Sequence, residues 1–145
     1  ALLLSPYLSI SGVFWALCKP IWYDGSLDTF QWTDWALSLL ASVMAFSLGA
    51  LAIFLALSNE KFLTLLRQGG AADSFFLSVV AAFFHFIIVQ FSAIALIILL
   101  IAYKTVFFSA LAFWAFSYAM ACGIAAAAAL VDTADLLNMS GDEDD

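Results

Sequence analysis

His85 and Gln90 are the most polar side chains in a long stretch, Ser74–Tyr103, that contains no Asp, Glu, Lys or Arg. An imidazole titrates near neutral pH, and an ionisable group set among apolar residues can carry a proton or line a polar path. Ser78, His85 and Ser92 recur at seven-residue steps, which places them on one face of a helix. The competing reading is a neutral His85 hydrogen-bonded to a serine of a neighbouring helix, and the residues leave both open. Gln90 lies about 140° round the helix from His85, so the two do not form one site. Its carboxamide suits a hydrogen bond between helices, and with His85, Ser78 and Ser92 it is a candidate for any polar path.

No other chemistry is encoded in a recognisable pattern. HExxH, paired buried carboxylates and a Ser–His–Asp set are absent. One histidine without nearby carboxylates or cysteine pairs does not make a metal site. Cys18 and Cys122 are two isolated cysteines with no framework spacing. The residues therefore imply a protein that is not an enzyme and that needs no metal or cofactor.

The elements that must carry these side chains follow from composition. Of 145 residues, 66% are hydrophobic and 10% charged, against about 25% charged in soluble domains. Four charge-free runs, about 1–18, 36–57, 76–103 and 105–131, are expected to be four transmembrane helices in one all-α, polytopic membrane domain. The run Ala1–Cys18 lacks the basic flank and small-residue cleavage site of a signal peptide and reads as a retained span.

Burying leucine does not drive helices together in lipid, whereas small residues that let backbones approach do. Ala41, Ala45 and Gly49 form such a ladder on the second span, and Ala115, Ala119 and Gly123 another on the fourth. A third, with Ser5, Ser9 and Gly12, lies on the first. Three ladders in so small a unit predict a homo-oligomer surrounded by membrane lipid.

The connections differ in character. The first, Lys19–Trp35, is bracketed by Trp15, Trp22, Trp32 and Trp35 and is expected to form an aromatic collar at the headgroup level. The second, 58–73, has apolar Phe62, Leu65 and Leu66 on one face, flanked by Lys61 and Arg67. It is expected to be an amphipathic helix ended by Gly69 and Gly70. The third is a tight turn near Lys104. Two of the four basic residues fall in the second connection, which the positive-inside rule assigns to the cytoplasm together with both termini. Lys61, Phe62 and Arg67 are then the expected contacts for a cytosolic protein partner. The net charge is −7, concentrated in an acidic tail over 132–145, and there is no basic patch for direct nucleic-acid binding.

The segment LGALAIFLALSNEKFLTLLRQGG, followed by a long Phe-rich span, resembles small four-span proteins of bacteria, some encoded beside anti-phage defence systems. The likeness covers Ser47–Tyr103. It implies an inner-membrane protein that pairs with a cytosolic sensor or nuclease, and it carries over no functional residue. The function expected is the membrane component (anchor, sensor or pore) of a larger system. The alternatives are an ion channel or small transporter, and a non-catalytic subunit of a membrane enzyme complex.

Overall fold

The structure, a computed structural model, describes residues 6–23, 31–56 and 75–141, and their side chains except at 75–76 and 132–141. The amphipathic segment expected at 58–73, with Lys61, Phe62 and Arg67, lies outside the described residues, as does Ser5. Among the described residues five helices follow one another: α1 (Pro6–Leu17), α2 (Lys19–Trp22), α3 (Trp32–Ala56), α4 (Phe75–Tyr103) and α5 (Val106–Gly141).

Three of them, α3, α4 and α5, are long and apolar enough to cross a membrane. Of the fourth expected span the described residues form α1, whose 12 residues cover about 18 Å of a hydrocarbon layer of about 30 Å. It ends where it does because Pro20 has no N–H to offer the carbonyl of Ala16. The chain turns at Cys18, and Pro20 instead occupies the first turn of α2, where a missing donor costs nothing.

The helices alternate in direction. Trp15 and Trp22, at the end of α1 and in α2, meet Ala110 and Ser109 near the start of α5, and Trp32, at the start of α3, meets Ser109 and Phe113. Phe54, near the end of α3, packs with Val79, Phe83 and Cys122 at the opposite end. The α1–α3 connection and the α4–α5 turn therefore share one end of the bundle. α5 is the central element, in contact with every other helix.

The outside of this bundle is apolar like its inside, unlike the outside of a water-soluble protein. Leu17, Phe46, Phe107 and Ile124 face outward, while Ser11, Ser47, Gln90, Ser109 and Ser117 are buried. Acyl chains accept the outward Leu, Ile and Phe at no cost, and the polar groups are kept where protein partners satisfy them. Several hydroxyls need no other helix at all. Ser42, Ser47, Ser92 and Ser117 each donate to the carbonyl four residues earlier, at 2.6–2.9 Å, a bond that serine makes within its own helix.

The α4–α5 turn takes two residues. Lys104 adopts a left-handed conformation (φ 48) that ends α4. Its N–H reaches the carbonyl of Leu100 at 2.7 Å, which satisfies one of the carbonyls left open at a helix end. Thr105 caps α5, its hydroxyl accepting from the N–H of Phe108 at 3.3 Å. Thr105→Ala is expected to lower stability by about 1 kcal/mol, measured by reversible unfolding in mild detergent, while Thr105→Ser keeps the acceptor and most of the stability.

Helix α5 has 36 residues, about 54 Å. Its apolar portion ends near Val131, and the helix continues through Asp132 and Asp135 to Gly141.

Candidate functional site

Two polar pairs and one aromatic cluster interrupt the apolar packing. The first pair lies between α4 and α5. His85 is exposed on the surface of the bundle, and its Nε2 is 3.3 Å from the hydroxyl of the half-buried Tyr118. Their rings stand nearly perpendicular (81°, centroids 6.3 Å apart), and Tyr118 stacks on Trp114 at 6.4 Å and 18°. Ser78 and Ser92, the other members of the seven-residue line, are also exposed. Ser92 is occupied with its own helix, its hydroxyl donating to the carbonyl of Ile88.

The second pair lies between α3 and α4. Gln90 is wholly buried, and its Nε2 donates to the Oγ of Ser47 over 3.4 Å. The hydroxyl of Ser47 donates in turn to the carbonyl of Val43, so it can only accept from Gln90. That fixes the orientation of the carboxamide and leaves its Oε1 buried without a partner among the described residues. Gln90 is the midpoint of the apolar stretch Leu77–Tyr103. It separates two apolar clusters, one around Trp32, Leu40, Ile97 and Phe113, the other around Phe54, Phe83 and Phe86. His85 and Gln90 thus belong to different interfaces.

Three of the four tryptophans of the expected collar, Trp15, Trp22 and Trp32, instead turn inward onto α5. Trp22 and Trp32 are buried, Trp15 is half-buried and Trp35 is exposed. Trp15 donates to the carbonyl of Ala110 (2.8 Å) and Trp22 to that of Trp15 (2.9 Å), with the two indoles stacked at 4.6 Å. Ser109 is the hub. It donates to the carbonyl of Trp22 at 2.7 Å and accepts from the indole N–H of Trp32 at 3.4 Å. The physical reason for the inward turn is that each of these three indole N–H groups finds a protein acceptor, so none depends on the headgroup layer.

The helix-packing residues divide between inside and outside. On α5, Ala119 is buried, Ala115 and Gly123 are half-buried, and a Cβ added at Gly123 would come within 2.8 Å of Cζ of Phe86. On α3, Ala41, Ala45 and Gly49 all face outward, and a Cβ at Gly49 would meet nothing within 4 Å. Above Gly123 and Phe86 a groove of about 270 Å³ separates α3 from α5, walled by Val43, Ser47, Phe83 and Ala126.

Sequence reasoning does not single out Tyr118 or Ser109. Tyr118 carries a signal, since tyrosine favours membrane edges and Tyr118 stands in the middle of a charge-free run. Ser109 carries none, because its partners are 77 and 87 residues away. Among the described residues no group of three or more His, Cys, Asp or Glu is placed to hold a metal ion.

Compared with protein-family models, curated proteins and solved structures, the chain matches none. The fold and the outward apolar surface define the class to which it can be assigned: a protein that is helical throughout its described residues, three of those helices being able to cross a membrane.

Proposed function

We propose that this protein is a homo-oligomeric membrane component of a larger system, without catalytic chemistry of its own, which presents its cytosolic segments to a soluble protein partner. The observation that carries the reading is the outward ladder of α3. Ala41, Ala45 and Gly49 face away from the protomer, together with Ser38 and Ser42, whose hydroxyls are satisfied within the helix. A helix face of small, internally satisfied residues gives acyl chains little to pack against, whereas it lets a second backbone approach closely. The bacterial inner membrane is the location we propose, with the C-terminus in the cytoplasm. Lys19 and Lys104 then share the outer end, and the more basic second connection lies inside. The resemblance over Ser47–Tyr103 supports a role beside an anti-phage system, with Lys61, Phe62 and Arg67 as the contact for the cytosolic partner.

Mass measurement in mild detergent tests the reading. The wild-type protein is expected to run as a defined multimer. Gly49→Leu is expected to shift it to protomers while leaving helicity unchanged, because among the described residues of the protomer nothing lies within 4 Å of a Cβ at that position. A multimer that survives Gly49→Leu, or a wild type that runs as a monomer, removes the α3 face from the account. Affinity purification from the native host then identifies the cytosolic partner.

A further inference from the structure

We propose that His85 and Tyr118 form a binding site for the ring of a membrane-soluble quinone or quinol. Helix α4 rises about 12 Å from Leu77 to His85 and about 27 Å more to Tyr103. A hydrocarbon layer of about 30 Å centred on Leu77–Tyr103 places His85 about 7 Å inside its edge. Water is scarce at that depth, and polar groups need partners there. Yet His85 is exposed, and its one hydrogen bond among the described residues, to Tyr118, uses a single ring nitrogen. Nδ1 is left with unmet capacity.

That capacity is two-sided. If Tyr118 donates to Nε2, then Nδ1 carries the proton and donates to a carbonyl. If Nε2 donates to Tyr118, then Nδ1 accepts from a hydroxyl. A quinone offers the first group and its quinol the second, so one site takes both forms. The surroundings favour a flat ring over another helix. His85 and Tyr118 meet at 81°, which makes a corner, and Trp114 continues the aromatic wall beyond Tyr118. The neighbouring outward side chains, Phe84 and Trp114, are bulky, unlike the small residues of α3. Trp114 also borders an apolar groove of about 320 Å³ with Gly12, Phe107 and Leu111, a surface on which an aliphatic tail can lie. The inference does not depend on the oligomer, whose proposed contact is on a different helix.

The test is a titration of the protein in lipid nanodiscs with a decyl-substituted benzoquinone, followed by tryptophan fluorescence. Saturable quenching is expected, its saturable part lost in Trp114→Phe, which removes the reporter. His85→Phe is expected to weaken binding at least tenfold. Tyr118→Phe, which keeps the ring and removes the hydroxyl, is expected to weaken it several-fold and covers the case in which His85→Phe does not fold. Decylbenzene, with the same tail and no oxygen, is expected to give no saturable quenching. Linear quenching in the wild type, or quenching identical in both variants, overturns the site. A drop in particle mass on His85→Phe with no change in quenching overturns it too, and assigns the pair to contact between copies.

Discussion

Ser109→Ala is expected to destabilise the protein by about 2–4 kcal/mol, because it orphans two buried groups at once at about 1–3 kcal/mol each. The carbonyl of Trp22 loses its donor and the indole of Trp32 its acceptor. That is the lower half of the roughly 2–6 kcal/mol that two such groups can cost, since the Trp32 bond is long at 3.4 Å against a usual length of about 2.7–3.2 Å. Ser109 also ties α2 and the start of α3 to α5, so the loss has a second signature. The near-ultraviolet circular dichroism of the stacked Trp15 and Trp22 should collapse in the variant before overall helicity does. Chemical unfolding in bicelles, followed by both signals, measures this. A loss below about 0.5 kcal/mol would mean that water reaches Trp22 and Trp32 and that the cluster is not dry.

Gln90→Leu is expected to act in the opposite direction and stabilise the protein by about 1 kcal/mol. Hydrogen bonds between helices in a membrane protein average about 0.6 kcal/mol, and the Gln90–Ser47 contact is a long one. Against it stands the cost of a buried, unpartnered carbonyl, about 1–3 kcal/mol. The second is larger, leucine is of similar volume, and the hydroxyl of Ser47 keeps its bond to Val43. Gln90→Glu tests the same position from the other side. It places an ionisable carboxyl at the centre of the apolar stretch and is expected to cost about 2–3 kcal/mol or more. Unfolding midpoints of the three proteins in one detergent decide the matter. If Gln90→Leu destabilises, the carboxamide oxygen has a partner beyond the described side chains, and a water held between α3 and α4 becomes its natural source, since no second copy reaches a wholly buried group.

These expectations rest on features of unequal legibility. The three long helices were readable because absence of charge over about 20 residues or more is a strong signal that needs no knowledge of partners. The turn at Lys104 was readable because it is local, a lone charge between apolar runs, and Pro20 carries an equally local signal in its missing N–H. What was not readable depends on which face of a helix meets which neighbour. Small residues look alike in sequence on α3 and α5, yet Ala119 is buried and Ala41 faces outward. Tryptophans near a connection suit both a headgroup collar and an internal cluster, and only Ser109 and the carbonyls of Trp15 and Ala110 decide between them. His85 and Gln90 stood out by polarity alone, while Tyr118 and Ser47, which partner them, resemble many other hydroxyls in the chain.

The uninterrupted course of α5 has a mechanical consequence. From Val131 to Gly141 the backbone stays helical beyond the apolar portion, a length of about 15 Å, and no proline interrupts it. A helix with an intact hydrogen-bond ladder resists bending and torsion, and kinks need an identifiable cause. The central helix, touched by every other helix, therefore works as a stiff shaft. A tilt or rotation of the bundle is delivered to its tip at Gly141 with little slack.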